Sequence, residues 1–266
     1  MKTRLTTNAR TRAARGIRDI PQIPFEPPPR NLELLPGATH VFCVALDQAV
    51  GRFDQLAKTL SGDEHDRAAR LAFGLHRNRF IAARGILREV LGWLLHADPA
   101  QLVFAYGEHG KPRLATPVGA RLVQFNLAHS DGLAVYVVSA SGPVGVDVER
   151  IHRVREAESI MKRFFSSREQ REWSAVPVRN RTSAFFQFWT RKESLLKALG
   201  IGLGGPLQRF DLLPIGDPSR EPASFVTVIT PFSTFYVHSV IPARGYMAAT
   251  AAQSPDAPLC WSWPAQ

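Results

Sequence analysis

Gly145-Val146-Asp147-Val148-Glu149 constrains the chain more than any other stretch. Valines alternate with carboxylates, and a strand, whose side-chain period is two, sorts them onto opposite faces. Asp147 and Glu149 then share one face. Two carboxylates on one face repel each other and lose hydration if they are covered. Such a pair persists most naturally where a cation sits between them, and carboxylate oxygens suit Mg²⁺ or Mn²⁺. A solvated strand face is the alternative, and the pentapeptide by itself leaves both open.

The segments on either side change period several times. His40–Leu46 reads as a first buried strand, and Ser61-Gly62-Asp63-Glu64 as a helix start. From Asp66 to His96 the spacing predicts helix, broken near Gly74, with Phe80, Leu87, Val90, Leu91 and Leu94 at three- and four-residue steps. Strands follow at Leu102–Tyr106, Leu122–Leu127 and Leu133–Ser139, the last two joined through His129-Ser130-Asp131-Gly132. Beyond the central strand, Arg155–Phe165 reads as helix, and Ser166 with Glu169 fits a capping box. Asn180–Leu199 is a long amphipathic helix, and strands are expected at 225–229, 234–241 and 246–251. Helices mixed with antiparallel strands in both halves indicate an α+β fold. The expected division is a basic, Pro-rich disordered tail over 1–36, subdomains over 37–140 and 141–255, and a C-terminal tail over 256–266.

Charge narrows the classes of partner. The 266 residues carry a net charge of +10, and half of it lies in residues 1–30, where seven Lys/Arg face two acids. The remaining bias is mild and suits an anionic ligand or an acidic protein partner. No basic reading element for nucleic acid is evident. Only Cys43 and Cys260 are present, which excludes a disulfide framework and implies a reducing, cytoplasmic setting. The chain has no run of 18 apolar residues, so no membrane partner is expected. The Arg-rich start lacks the apolar centre of a secretory signal. Its low acid content also suits an organellar leader.

Four clusters carry candidate chemistry. Lys111 in Gly110-Lys111-Pro112 is either an exposed turn lysine or a point charge for a phosphate. His129 and Ser130 end a strand. With Asp131 they cannot form a catalytic triad, because consecutive residues do not converge, and an anion contact is the plausible use. Asp147 and Glu149 form the third cluster. In the fourth, Trp189, Glu193 and Lys197 share one helix face and Lys192 lies on an adjacent one. Glu193 and Lys197 stand in the favoured i, i+4 ion-pair order, and the same geometry could serve a site. The glycine-rich run from Gly200 follows its helix, so it has the wrong polarity for a phosphate loop, and Gly200 reads as a C-terminal cap.

In order and spacing, these clusters resemble the 4′-phosphopantetheinyl transferase superfamily, in its larger monomeric type that activates surfactin synthetase. The resemblance rests on Gly-Lys-Pro at 110–112, Phe-Asn-Leu-Ala-His-Ser at 125–130, Gly-Val-Asp-Val-Glu at 145–149 and Trp-x-x-Lys-Glu-Ser-x-x-Lys at 189–197. Phe164-Phe165-Ser166-x-x-Glu169 matches as well. Ala128 departs from the usual serine, so a hydroxyl contact is absent there. The resemblance covers about residues 60–215.

It implies a pseudo-twofold pair of α/β subdomains with the site in the cleft between them. The implied reaction transfers the 4′-phosphopantetheine arm of coenzyme A to a serine of an apo acyl or peptidyl carrier protein and releases adenosine 3′,5′-bisphosphate. Asp147, Glu149 and Glu193 would hold Mg²⁺, with Mn²⁺ an acceptable substitute. Glu193, Lys197 and Glu149 would be catalytic, with Glu193 the base for the acceptor serine and Lys197 balancing charge on the leaving phosphate. Lys111, His129, Ser130, Arg84, Arg67 and Lys192 would contact coenzyme A, with Arg79 a further candidate. Glu169 is open between a functional role and a helix cap. The expected partner is an acidic carrier of fatty-acid, polyketide or nonribosomal-peptide synthesis, met by a monomer. A catalytically silent homologue that binds coenzyme A or a carrier is the alternative.

Overall fold

The computed structural model describes residues 25–115, 123–202, 205, 207–213, 225–231 and 233–264. Its first half contains β1 (Thr39–Ala45), α1 (Phe53–Thr59), α2 (Gly62–Ala69), α3 (Gly74–Leu95), a short β2–β3 hairpin (Phe104–Tyr106, Pro112–Leu114), β4 (Gln124–Ser130) and β5 (Leu133–Ser139). The second half contains β6 (Gly145–Arg150), α4 (Ala157–Phe164), α5 (Ser167–Ala175), α6 (Val178–Leu199), β7 (Phe225–Ile229), β8 (Thr234–Val240) and β9 (Tyr246–Ala252). The last described strand is β10 (Leu259–Ser262).

Among the described residues two four-stranded sheets form, ordered β10-β1-β5-β4 and β6-β9-β8-β7. Within them β1-β5-β4 and β6-β9-β8 repeat one order, each an antiparallel run opened by the first strand of its half. This is the α+β fold read from the sequence, with the two similar halves that the family resemblance implies. Alternation along the strands builds three apolar layers. Phe125, Ala134, Tyr136 and Val138 pack against α3 residues such as Ile86, Leu87 and Val90. Val41, Val135 and Val137 of the first sheet join Val146, Val148 and Ala248 of the second in a core between the sheets. Ala249, Ala251 and Val237 pack against Leu195 and Ala198 of α6. Each of the larger side chains fully covered contributes about 1.5–3 kcal/mol, so the valines of β6 anchor one sheet on the other while its carboxylates face α6.

Local signals place most boundaries. The Glu64 carboxylate accepts from the Ser61 amide at 3.1 Å, and that of Glu169 from the Ser166 amide at 2.9 Å, closing α2 and α5 at their N-termini. Gly200, at φ +71°, ends α6 in the left-handed conformation that favours glycine. Asp131 (φ +49°) and Gly132 make the tight turn between β4 and β5.

Both proposed tails need correction where they are described. Leu259–Ser262, expected in a C-terminal tail, pairs in parallel with β1. Trp261 stacks on His40, and Trp263 meets Phe42 edge-on at 5.7 Å. Residues 25–36, expected in the N-terminal tail, also attach: the Ser262 amide donates to the Glu26 carbonyl at 2.8 Å, and Leu34 is buried. Trp261 and Trp263, two residues apart, are half-buried against the core of the first half, and that contact holds the segment on the sheet. The basic segment 1–24 lies outside the described residues.

Candidate functional site

The site begins where α6 crosses β6. Gly145 has no side chain, and a methyl group there would overlap the Ser194 carbonyl oxygen and the Ala198 amide nitrogen. Helix backbone therefore rests directly on strand backbone. Two residues along the same face, Asp147 comes under α6, and its Oδ1 accepts from the Lys197 ammonium at 2.7 Å. Glu193 sits one helical turn before Lys197. Behind this turn, Trp189 stacks on Phe185 and meets Phe164 edge-on, so an aromatic cluster backs the helix.

The three carboxylates differ in environment. Burial raises Asp147 to about 7, against the pull of Lys197, with Glu149 and Glu193 adding repulsion. The ammonium is half-exposed and hydrated while the carboxylate is covered, so desolvation wins although the pair is close. Burial likewise raises Glu193, with Glu149 adding to it. Glu149 Oε2 accepts from the Ser130 hydroxyl at 3.0 Å. Asp147 Oδ2 and Glu193 Oε1 are buried with no hydrogen-bond partner.

Those orphaned oxygens test whether a metal fits. Unpartnered buried anionic oxygens are costly, and a hard divalent cation satisfies them, so the donor chemistry suits Mg²⁺ or Mn²⁺. Among the described residues, however, no three His, Cys, Asp or Glu side chains are gathered into a ready cage. The Lys197 ammonium holds the other Asp147 oxygen.

Side chains rather than a strand ladder join the two sheets at this point. The Val146 amide donates to Asn126 Oδ1 at 3.1 Å, and the Arg150 amide to Ser130 Oγ at 3.1 Å. Ser130 is thus a bridge between β4 and β6 that also fixes Glu149. Asn126, to which the sequence assigned no role, is a second bridge. A buried polar residue in an apolar strand was the visible signal for it.

Beside the carboxylates lies a cleft of about 430 Å³, within the range of small-molecule sites. Arg67, Phe80 and Arg84 form one wall, His109–Pro112 another, Asn126–His129 a third, and Glu193, Leu196, Lys197 and Gly200–Gly202 the fourth. Five of the expected residues, Arg67, Arg84, Lys111, His129 and Lys197, meet here with Glu193. Cations outnumber the one carboxylate, and the surroundings register it. Burial lowers His129, and Lys197, Arg79, Arg84 and Arg67 lower it further, although its ring touches solvent. Arg84 Nη1 is buried without a partner, and its nearest acid, Glu64, is 3.8 Å away. Lys111 donates to the carbonyls of Val144 at 2.8 Å and Lys197 at 2.6 Å. It braces the β2–β3 turn against β6 and the end of α6, and burial pushes it down to about 8. One of its three donors remains.

Other candidates belong elsewhere. Lys192, expected at coenzyme A, is 2% exposed and points away from the cleft. Its ammonium lies 2.7 Å from Glu169 and donates to the carbonyls of Leu207 and Phe210 at 2.6 and 2.7 Å. The reason is helical: the step from Glu193 to Lys192 turns the side chain by about 100° into the protein. Glu169 caps α5, pairs with Lys192 and accepts from the Leu212 amide at 3.0 Å. Arg79 is bound to both oxygens of Asp47, at 2.8 and 2.7 Å. Ala128 belongs to the apolar core between the sheets, where a hydroxyl would need a partner. Phe80, His109 and Ile201 line the cleft without having been anticipated.

A half-repeated α+β fold with acids under a helix and a cationic cleft beside them defines a class that handles anionic ligands. Comparison with known proteins makes the class specific. Residues 143–251 match the model of the 4′-phosphopantetheinyl transferase superfamily. The chain is 39% identical to the 4′-phosphopantetheinyl transferase HetI of Nostoc sp. (strain PCC 7120), over 76% of this chain and 83% of that protein. It is 28% identical to the 4′-phosphopantetheinyl transferase Sfp of Bacillus subtilis (strain 168), over 75% and 84%. A phosphopantetheinyl transferase of Thraustochytrium sp. is 30% identical over 58% and 57%. The chain belongs to the 4′-phosphopantetheinyl transferase superfamily and is an enzyme of that type. Among the described residues, no helix is long and apolar enough to cross a membrane.

Proposed function

We propose that the chain transfers the 4′-phosphopantetheine group of coenzyme A to a serine of an apo carrier protein. The observation that carries this is the juxtaposition of a cationic cleft with three carboxylates. Arg67, Arg84, Lys111 and His129 suit the phosphates of coenzyme A, and Asp147, Glu149 and Glu193 suit the end where bonds change. The serine oxygen forms a bond to the β-phosphorus, and the bond from that phosphorus to the bridging oxygen breaks. The leaving group is adenosine 3′,5′-bisphosphate.

Glu193 takes the serine proton in this reading. Its raised proton affinity makes it a better base than an ordinary carboxylate. Lys197, on the same helix face, balances charge on the departing phosphate. Mg²⁺, when held by Asp147, Glu149 and Glu193, supplies further neutralisation of the pyrophosphate oxygens. Lys111 and Ser130 set the walls: one ties the turn to α6, the other fixes Glu149. We assign the enzyme to the cytoplasm as a monomer, with 37–140 and 141–255 as its halves. Cys43 and Cys260 are free and buried, which suits a reducing compartment.

The test incubates the protein with coenzyme A, Mg²⁺ and a panel of apo carriers. The expected result is a carrier mass gain of one phosphopantetheine, lost in Asp147→Ala. Binding of coenzyme A with no gain on any carrier would establish a catalytically silent homologue instead.

A further inference from the structure

Residues 72–78, from the end of the α2–α3 connection into the first turn of α3, are exposed without interruption. Two are large and apolar: Phe73 is 70% exposed and Leu75 54%. Single exposed apolar residues are ordinary, but two bulky ones flanked by cations on one short projection mark a contact surface. Arg70 precedes them; its amide donates to the Asp66 carbonyl at 3.2 Å, and among the described residues its side chain has no hydrogen bond or ion pair. Arg77 follows, exposed, its guanidinium resting on the Leu71 carbonyl at 3.1 Å. Between residues 66 and 79 four arginines face a single acid, Asp66.

The projection is continuous with the cleft. Phe73 meets the His76 ring edge-on at 5.9 Å. His76, Phe80 and Arg84 recur at four-residue steps on α3, and Phe80 and Arg84 line the cleft wall. Seven residues of helix rise about 10 Å, so a partner held on Phe73 stands about two helical turns from Phe80 in the cleft wall.

We propose that Phe73 and Leu75, flanked by Arg70 and Arg77, dock the carrier protein through an acidic amphipathic helix near its acceptor serine. Apolar anchors at one-turn spacing on that helix cover Phe73 and Leu75, and its acids meet the two arginines. The inference rests on the transfer reading above and adds the surface that holds the acceptor. A protein fits better than a bilayer, because two side chains bury too little to anchor in lipid, and the patch adjoins the wall of the reaction cleft.

The experiment measures transfer kinetics on apo carriers at saturating coenzyme A for Phe73→Ala/Leu75→Ala and for Arg70→Glu/Arg77→Glu. The expected result is a carrier KM raised about tenfold, with kcat and coenzyme A affinity within about twofold. The effect of the charge reversal should shrink as salt is added. Unchanged carrier KM in both variants overturns the proposal. Loss of binding to phosphatidylserine vesicles with carrier KM intact overturns it in favour of a membrane contact. A wild-type protein inert toward every carrier defeats the transfer reading, and the docking surface with it.

Discussion

Lys197 on α6 and Asp147 on β6 are joined at 2.7 Å across the closest approach of helix and strand. The bond links the acid of the central strand to the cation that also faces the cleft. Asp147 is covered, its other oxygen is unpartnered, and burial holds it near 7. An arrangement so costly for stability alone points to use rather than to packing.

Asp147→Asn separates these contributions. The amide keeps the shape and removes the charge that burial disfavours. Thermal unfolding should therefore match or exceed that of the parent, while transfer falls about 100-fold or more. A variant with near-parent kcat/KM would remove Asp147 from the chemistry.

Gly145→Ala should damage both fold and rate. A methyl group there collides with backbone of α6, which cannot rotate aside as a side chain can. Overpacking of this kind costs about 1–3 kcal/mol. The displaced helix carries Glu193 and Lys197, so activity should fall even at temperatures where the variant is folded. Denaturant melts and kinetics on the same preparation check this; parent-like values in both would show that α6 has room to move.

Glu169→Ala should be among the most destabilising single changes in the second half. It leaves the Lys192 ammonium buried without its counter-charge and opens the cap of α5. Removing one partner of a buried pair costs about 3–5 kcal/mol. Glu169→Gln with Lys192→Met should recover part of the loss, since both charges are then gone. If Lys192→Met alone raises the KM for coenzyme A without changing stability, the buried assignment of Lys192 is mistaken.

Stability should depend on acid through His238. Burial lowers this imidazole to about 4, with Arg191 lowering it further, and its Nε2 has no partner. The folded state therefore favours neutral histidine. Between the ordinary value of 6.5 and about 4 the unfolded chain binds more protons, so stability falls as pH falls through that window. The contribution is roughly 3 kcal/mol at the low end and vanishes above the window. His238→Gln should flatten the slope of unfolding free energy against pH between 6.5 and 4. An unchanged slope would mean that His238 is protonated in the fold.

Much of the local structure was legible because its causes lie within a few residues. The Ser166–Glu169 box, the Asp131-Gly132 turn and the Gly200 cap each depend on neighbours in sequence. The face shared by Asp147 and Glu149 followed from strand period, and that of Trp189, Glu193 and Lys197 from helix period. Family resemblance supplied the connection between them. Lys192 went wrong for the opposite reason. Periodicity says which direction it points relative to Glu193, but not that Glu169 and the carbonyls of Leu207 and Phe210 wait there. β10 was missed because its partner, β1, lies more than 200 residues earlier, and a parallel pairing leaves no turn to read.

The amino-acid sequence alone determined the chemistry on offer: three carboxylates, a set of cations, and the strand and helix that carry them, since side-chain type and period are local properties. Tertiary structure decided which of those groups meet. Gly145 lets α6 close on β6, Lys111 draws the turn onto the helix end, and Asn126 and Ser130 join the sheets. Through those contacts one lysine of α6 reaches Asp147 and its near neighbour is sealed in the core. That difference comes from the elements packed around each helix face, brought together from distant parts of the chain.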